Sequence, residues 1–238
     1  MKIITWNCNM AFRKKADLIL SHNPDIIIIP ECEEPEKILQ SQISQQPTSH
    51  LWFGKNKHKG LGVFSYNGYK LKQRRNHNPE FRTIVPITVY KDHQRFTLYA
   101  IWAYNPDDPD GQYVTQIWKA IHYYRKYLKK TGTILAGDFN SNTIWDKKRR
   151  PGNHSSVVQF LQKKGIHSTY HLYHKQDQGR EEHPTFYLYR HQDKPYHMDY
   201  CFVSADLAGR LQSVEIGVFK DWKHYSDHVP VIVTFTAD

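Results

Sequence analysis

The chain has 238 residues, of which 39% are hydrophobic and 14% aromatic, and its formal charge is +10. The basic excess favours a polyanionic partner, either nucleic acid or an anionic membrane surface, over a neutral metabolite. The longest apolar run, Ile26–Pro30, is far too short to cross a bilayer. Because no linker rich in Pro, Gly or Ser divides the chain, we predict a single domain over residues 1–238.

The three cysteines indicate a reducing environment. Cys8, Cys32 and Cys201 are odd in number, and each lies beside an apolar strand-like segment, as small buried hydrophobic residues do. This usage argues against a disulfide framework. The start of the chain also lacks the apolar core of a signal peptide. We therefore expect a soluble cytoplasmic protein.

The first predicted elements alternate between strands and helices. Lys2–Cys8 has the alternation of a strand, and apolar residues between Phe12 and Leu20 recur at helical spacing. Asp25–Pro30 is rich in β-branched residues, which is typical of a strand buried on both faces. Glu33–Ile43 is compatible with a helix.

Hairpins are predicted in the next part of the chain. Short strands are expected at Leu51–Phe53, Gly60–Tyr66 and Tyr69–Lys72. The last two are separated by Asn67-Gly68, a strong hairpin signal. A second hairpin is predicted from Thr83–Tyr90 and Arg95–Tyr104.

The C-terminal half continues the mixed pattern. Gln112–Lys129 predicts an amphipathic helix, and Thr133–Ala136 predicts a buried strand. Ser155–Lys164 predicts a helix capped by Asn153. Further strands are predicted at Ile166–Tyr173, Pro184–Tyr189, His197–Val203, Leu211–Val218 and Val229–Thr236. Since strands outnumber helices, two packed sheets with outer helices are the economical arrangement.

Polar clusters occur where apolar segments end. Four such segments are Ile3–Asn7, Ile26–Glu31, Thr133–Asn140 and Tyr196–Phe202, and Ser226-Asp227-His228 forms a fifth cluster before the last strand. Buried carboxylates are costly unless they share a metal or a proton. We therefore predict one site at a sheet edge, built from Asn7, Glu31, Asp138, Asn140, Asp199, Asp227 and His228. Hard oxygen ligands with one histidine are typical of magnesium-assisted phosphoryl transfer.

Glu31 is the first choice of ligand for Mg²⁺, with Asn7 and Asp227 beside it and Mn²⁺ as a substitute ion. A magnesium ion keeps several waters, so one or two carboxylates suffice. The alternative is that Glu31 opens the acidic stretch Glu31–Glu36 as a charge at a helix N-terminus.

The segment Gly137-Asp138-Phe139-Asn140 supplies a base and a donor. Asp138 can accept a proton from an attacking water, and Asn140 can donate to a phosphate oxygen. A simple turn is the alternative, because Gly, Asp and Asn all favour turns. Asp199 can hold His228 in one tautomer and favour the imidazolium, which stabilises charge on a phosphate. Here the alternative is an ordinary buried histidine.

Other chemistries fit less well. The chain has no Gly-x-Ser-x-Gly elbow, no Gly-rich phosphate loop ending in Gly-Lys and no Cys-x-x-Cys pair. A metal site can also be considered from His122, His167, His171 and His174. Their scatter over predicted helix and strand faces favours surface or aromatic-cluster roles instead.

These motifs, in this order, resemble those of the endonuclease/exonuclease/phosphatase superfamily, which includes exonuclease III, abasic-site endonucleases and DNase I. The resemblance covers essentially the whole chain and rests on Thr5-Trp6-Asn7, Pro30-Glu31, Gly137-Asp138-Phe139-Asn140, His197-Met198-Asp199-Tyr200 and Ser226-Asp227-His228. It implies a four-layer α/β sandwich with two central mixed β-sheets flanked by helices. It also implies the same metal, base and phosphate-binding roles for these residues, with His228 at the scissile phosphate.

Departures from the family pattern concern substrate recognition. Asn9 stands where the abasic endonucleases have Asp, and His197 replaces the usual Arg. In the stretch that resembles Tyr-x-Pro-Asn, Trp102 replaces the Tyr and Asn105 keeps its place. Metal-assisted attack by water is unaffected by these changes.

The leading hypothesis is a metal-dependent nuclease acting on DNA. Aromatic side chains near the motifs can stack on bases, and Arg149, Arg150 and His154 can hold a flanking phosphate. Trp102 and Asn105 are further candidate substrate contacts. The alternatives are a phosphatase or phosphodiesterase acting on a soluble or lipid phosphate ester, a ribonuclease, and a non-enzymatic module.

Overall fold

The structure, a computed structural model, describes residues 1–104, 113–148 and 150–236. The strands in these residues are β1 Lys2–Thr5, β2 Ile26–Cys32, β3 Ser49–Asn56, β4 Lys59–Ser65, β5 Lys70–Gln73, β6 Ile84–Lys91, β7 Gln94–Trp102, β8 Thr133–Asp138, β9 Ile166–Ser168, β10 Phe186–Tyr187, β11 Pro195–Tyr196, β12 Asp199–Ser204, β13 Leu211–Ile216 and β14 Val231–Phe235. The α-helices are α1 Ala16–Leu20, α2 Pro35–Leu39, α3 Val114–Tyr123, α4 His154–Lys163, α5 Thr169–His174, α6 Ala205–Ala208 and α7 Phe219–Trp222.

Two six-stranded sheets form the centre of the described part of the chain. The first has the strand order β13-β14-β1-β2-β4-β3, and the second has the order β5-β6-β7-β8-β12-β9. Each sheet is mixed, because β1 pairs with β2 in parallel and β7 pairs with β8 in parallel, among antiparallel neighbours. A third, two-stranded sheet is formed by β10 and β11, and its Phe186 forms an isolated bridge with His228.

The sequence of β2 shows why the sheets are covered on both faces. Ile26 and Ile28 pack in the core between the two sheets, whereas Ile27 and Ile29 pack in a second core beneath α1 and α7. Side chains alternate between the faces of a strand, so a run of four isoleucines supplies both layers. On the other sheet, α3 and α4 bury a third core. The predicted four-layer α/β sandwich is confirmed.

Two predictions of connectivity were tested by the pairing of the strands. The hairpin from Thr83–Tyr90 and Arg95–Tyr104 is confirmed by β6 and β7. The hairpin at Asn67-Gly68 is wrong, because β4 belongs to the first sheet and β5 to the second. The Asn67-Gly68 turn is present, with Asn67 at φ 53° and Gly68 at φ 84°, but it carries the chain from one sheet to the other.

Several predicted elements differ from the observed ones. The predicted strand Ile166–Tyr173 ends at Ser168, after which α5 begins. The predicted helix Glu33–Ile43 is reduced to α2. The start of α4 is capped by Asp146, whose carboxylate accepts from the backbone N–H groups of His154 and Ser155. The side chain of Asn153 instead bonds to the backbone of Lys147.

The cysteines are as predicted, since Cys8, Cys32 and Cys201 are all buried and unpaired. Burial raises the pKa of each thiol, so these cysteines are inert packing residues. In the three described segments, no helix combines the length and apolarity that a bilayer crossing requires.

Candidate active site

Strand ends of the first sheet bring three of the predicted residues to one edge. Since β1 and β2 are parallel, Asn7, just beyond β1, and Glu31, near the end of β2, leave the sheet on the same side. The Nδ2 atom of Asn7 lies 3.4 Å from Glu31 Oε1. The antiparallel strand β14 begins at this edge, so Asp227 reaches it from the preceding loop, where its Oδ1 accepts from Asn9 Nδ2 at 3.3 Å.

The second sheet presents its carboxylates in the same way. Asp138 ends β8 and Asp199 opens β12, and the two residues lie directly opposite each other in the antiparallel pair. Asn7 Nδ2 also donates to Asp138 Oδ2 at 3.0 Å. One amide group therefore joins the edges of both sheets, and the polar clusters that are distant in sequence form a single site.

Local backbone geometry explains the residue types of the 137–140 segment. Gly137 has φ 146°, and a Cβ atom there would overlap the carbonyl group of Ile101 in the neighbouring strand β7. Asn140 has φ 47°, in the left-handed region that Asn tolerates. This turn lets the Asn140 backbone N–H donate to Asp138 Oδ1 at 2.8 Å and its Nδ2 donate to Oδ2 at 3.1 Å.

The electrostatic environment of Asp138 favours its protonated form. The side chain is fully buried. Burial and the charge of Asp199 raise its pKa, against the opposing effects of His228 and the hydrogen bonds from Asn7 and Asn140. A carboxylate with a raised pKa is a stronger base than an ordinary aspartate, which suits proton abstraction from water.

Asp199 and His228 form a buried ion pair. His228 Nδ1 donates to Asp199 Oδ2 at 2.8 Å. Burial alone would lower the pKa of His228, but the charge and hydrogen bond of Asp199, with the charges of Asp138 and Asp227, raise it above its ordinary value. The histidine is therefore an imidazolium, and its Nδ1 is already engaged, which leaves Nε2–H to donate.

Contacts from both neighbouring and distant residues fix this pair in place. The backbone N–H of His228 donates to Ser226 Oγ, and its carbonyl group accepts from Trp6 Nε1 at 2.9 Å. Thr185 Oγ1 accepts from the backbone N–H groups of Met198 and Asp199 at 2.9 and 3.0 Å. Thr185, which sequence analysis did not single out, therefore positions the start of β12.

Glu31 has an unusual backbone and an unexpected neighbour. Its φ is 60°, and the register of β2 against β4 shifts between Pro30 and Cys32. This bulge turns the Glu31 side chain toward the site. Its Oε2 atom lies 3.1 Å from Lys59 Nζ on the neighbouring strand β4. Lys59 belongs to the basic run Lys55–Lys59, but nothing in the sequence connected that run with Glu31.

The residues fit a divalent cation. Burial, and after it the charge of Asp199, raises the pKa of Asp138, so a cation at this site would stabilise the ionised carboxylates. Asp199 Oδ1 is buried and has no hydrogen-bond partner among the described residues. Asp138, Asp199 and His228 place potential ligand atoms within 4.8 Å of one another. However, a protonated histidine cannot ligate a metal, so the better ligands are the oxygen donors of the site, which include Glu31 and Asp227 at the same edge.

Two of the predicted substrate contacts, Arg150 and Trp102, line cavities beside this site. Arg150 lines the cavity beside Asn140, together with Trp145 and Lys147, and its Nη2 donates to Thr115 Oγ1 at 2.6 Å. Trp102 lines the second cavity. Asn105 and Arg149 lie outside the described residues, so their predicted roles stay predictions.

The prediction that His154 holds a phosphate does not agree with its position. The side chain is only 1% exposed, although its residue borders the cavity beside Asn140. Its Nδ1 is 2.8 Å from Ser141 Oγ and its Nε2 is 3.3 Å from Gln178 Oε1. Burial lowers its pKa to about 4. A neutral ring with both nitrogens engaged supports the loop after Asn140 rather than binding an anion.

His197, which stands where the family that the sequence resembles has Arg, is a second buried neutral histidine. Its Nδ1 donates to the His183 carbonyl group at 2.7 Å. Burial lowers its pKa to about 4. Its ring packs between Tyr170 and Tyr200. His171 and His174 belong to the same aromatic cluster. This agrees with the aromatic-cluster role that the sequence analysis favoured for them over a metal site.

Acid is expected to destabilise the fold through His154 and His197. Both have a folded-state pKa of about 4, below the ordinary value of 6.5. At these two positions the unfolded chain therefore binds protons that the folded chain does not, so their contribution to stability is complete above pH 6.5 and is lost as the pH drops toward 4. At about 1.4 kcal/mol per pKa unit, the loss is on the order of 3 kcal/mol for each of the two histidines. Urea denaturation at both ends of this range measures it.

The variant His154→Gln isolates one of these contributions. Its free energy of unfolding should fall less between neutral and acidic pH than that of the unmodified protein. His93→Gln, at an exposed position, is the matched control and should keep the full pH dependence. An unchanged dependence in His154→Gln would show that His154 takes up its proton in the folded state.

Comparisons with known proteins agree with this architecture. A sequence model described as the Endonuclease/Exonuclease/phosphatase family matches residues 4–228. A comparison with curated protein sequences gives no match.

Solved structures share the fold at low sequence identity. A 3'-5' exonuclease from Neisseria meningitidis is 20% identical with a TM-score of 0.72, over 100% of both chains. An AP endonuclease from Leishmania major is 16% identical with a TM-score of 0.71, over 100% of this chain and 88% of that chain. An AP endonuclease from Archaeoglobus fulgidus is 17% identical with a TM-score of 0.68, over 100% of both.

Proposed function

The chain belongs to the endonuclease/exonuclease/phosphatase family, and from this premise we propose that it is a divalent-metal-dependent nuclease that hydrolyses phosphodiester bonds of DNA. The observation that carries the proposal is the convergence of Asn7, Glu31, Asp138 and the Asp199–His228 pair at facing edges of the two sheets. The names of the solved relatives, an exonuclease and two AP endonucleases, support a nucleic acid substrate.

Asp138 acts as the base in this proposal. Its carboxylate is held by Asn7 and Asn140, so its orientation is fixed before substrate binds. The raised pKa of Asp138 lets it take a proton from that water near neutral pH. Asn140, which lines the adjoining cavity, donates to a non-bridging phosphate oxygen.

His228 stabilises the charge that develops on the phosphate. Asp199 holds the imidazolium through Nδ1, so Nε2–H is presented in a fixed orientation. A donor that is already oriented needs no reorganisation when the negative charge grows, and this is the source of its catalytic effect. Asp199 does not touch the substrate and is a positioning residue.

Glu31, Asn7 and Asp227 would hold the cation, with Mg²⁺ as the expected ion and Mn²⁺ as a substitute. When bound, such an ion polarises a phosphate oxygen and lowers the pKa of a bound water. Lys59 balances the charge of Glu31 in the structure, and its long side chain can move aside when an ion binds.

The charge of the chain supports a polyanionic substrate. The formal charge is +10, and both cavities beside the site contain basic residues: Lys147 and Arg150 in one, Lys55, Lys59 and Arg82 in the other. Basic side chains on both sides of a catalytic centre can follow a sugar–phosphate backbone through it.

Removal of divalent ions is expected to abolish cleavage of DNA. Labelled single-stranded, duplex and abasic DNA, with matched RNA, are incubated with EDTA, Mg²⁺ or Mn²⁺, and the products are separated by electrophoresis. Titration calorimetry with Mg²⁺ provides a readout that does not depend on activity, and Glu31→Gln should weaken that binding. Glu36→Gln, at an exposed position nearby, is the matched control.

Other results would replace this proposal. Cleavage in EDTA would remove the metal from the mechanism. Failure to cut any polynucleotide, with release of phosphate from inositol phosphates, would make the protein a phosphatase for small esters. Cleavage of RNA but not DNA would make it a ribonuclease.

A further inference from the structure

A cavity next to Glu31 combines aromatic and basic side chains. Its lining includes Lys55, Lys59, Arg82, Thr83, Trp102 and Tyr104. Aromatic faces bind nucleobases, and cationic side chains bind phosphates. A cavity with both kinds of group therefore has the composition of a nucleotide-binding site.

The aromatic wall of this cavity is a stacked pair. The rings of Trp102 and Tyr104 lie 4.8 Å apart with an angle of 19° between their planes. Trp102 is 5% exposed and Tyr104 is 37% exposed, so Tyr104 presents the ring surface that a ligand reaches. Trp102 therefore forms the buried part of the cavity wall, and Tyr104 forms the exposed part.

Backbone contacts hold the pair in position. The N–H of Trp102 donates to the Thr83 carbonyl group at 2.8 Å, and the Tyr104 N–H donates to the Trp102 carbonyl group at 2.7 Å. Thr83 Oγ1 donates to the Tyr104 carbonyl group at 3.1 Å. A ring that is fixed before binding loses little conformational freedom when a base stacks on it.

Lys59 connects the aromatic pair with the catalytic residues. Its Nζ lies 5.7 Å from the Trp102 ring centre and 5.5 Å from that of Tyr104, and 3.1 Å from Glu31 Oε2. Trp102 is also the residue opposite Asp138 in the β7–β8 pair. The cavity therefore lies directly beside the catalytic residues Glu31 and Asp138.

We propose that this cavity binds the nucleotide next to the scissile phosphate, with its base unpaired and stacked on Tyr104 and its phosphate near Lys59. This inference rests on the proposed nuclease function and specifies its substrate. A base in a duplex is covered by its neighbours, so it cannot stack on a protein ring without leaving the helix. The preferred substrate is thus a single strand, or a duplex with an unpaired nucleotide at the cut.

Replacement of the exposed ring tests the proposal. Binding of a short fluorescein-labelled DNA single strand is measured by anisotropy in EDTA, and cleavage of the same strand is measured with Mg²⁺. Tyr104→Ala should weaken binding and lower kcat/KM by about tenfold, the loss expected for one base–aromatic stack. Tyr104→Phe should restore both, and Tyr104→Leu should not, because leucine fills space without an aromatic face.

Tyr90→Ala is the matched control. Tyr90 is 38% exposed, a fraction similar to that of Tyr104. It lies near the C-terminal end of β6, whereas the N-terminal end of β6, at Ile84, is the end that faces the catalytic edge. This variant should bind and cleave like the unmodified protein. Thermal unfolding of all variants verifies that the fold is retained.

The outcomes separate this inference from the proposed function. If Tyr104→Ala and Tyr104→Leu bind and cleave the single strand like the unmodified protein, the stacking site is refuted and the nuclease stands. If the unmodified protein binds the strand through Tyr104 but cuts no polynucleotide, the site stands and the nuclease is refuted. Equal cleavage of fully paired and single-stranded DNA would overturn the requirement for an unpaired base.

Discussion

Asp138→Asn is expected to lower kcat by about two to four orders of magnitude, the contribution of a positioned general base. The substitution keeps the shape of the side chain and removes its ability to accept a proton. Asp138 is fully buried and lies at the end of β8, where Asn7 and Asn140 hold its carboxylate. The Asn140 backbone N–H can still donate to an amide oxygen at this position.

The measurement is single-turnover cleavage of a labelled strand at saturating protein, which separates the chemical step from binding. Asp92→Asn is the matched control, since Asp92 is exposed and has φ 50°, a conformation that Asn also adopts. Its rate should equal that of the unmodified protein. A rate for Asp138→Asn within a factor of about three of normal would assign the base to another residue.

His228→Ala is expected to lower kcat by a similar factor of about two to four orders of magnitude, because a preoriented charged donor to the phosphate is lost. The KM for the strand should change much less, since most of the binding charge lies on other residues. Removal of one partner of a buried ion pair also destabilises a fold by about 3–5 kcal/mol. In this variant Asp199 would remain buried without its cation.

A second variant keeps the test independent of folding. Asp199→Asn combined with His228→Gln leaves no buried charge at the pair and should fold more stably than His228→Ala, yet it should be equally inactive. His93→Ala replaces an exposed histidine and should be normal. Near-normal cleavage by the folded double variant would remove the imidazolium from the mechanism.

Particular residues show how far sequence alone predicts this fold. The isoleucine run in β2 predicted a strand buried on both faces, and its alternate side chains do pack in two different cores. By contrast, Asn67-Gly68 correctly predicted a turn, but the two strands on either side of it do not pair with each other. Turn geometry depends on the residues of the turn, whereas the partner of each strand depends on pairing energies spread over whole sheets.

The short segment Thr169–His174 shows the same limit. It lies almost wholly within the predicted strand Ile166–Tyr173, but the chain turns into α5 after Ser168. There Tyr170 packs in the core between the sheets, and its ring contacts His174, His183 and His197. Tertiary packing of one large side chain outweighed a weak local preference.

The sequence by itself determined the chemical inventory of the site and its place at strand ends, because a carboxylate or amide after an apolar strand is visible in the order of residues. Only the tertiary structure decided that Lys59 meets Glu31, that Trp102 and Tyr104 stack beside them, and that His154 is buried and neutral. These contacts depend on the distance and dielectric between side chains brought together by folding. Neither quantity is encoded at any single position of the chain.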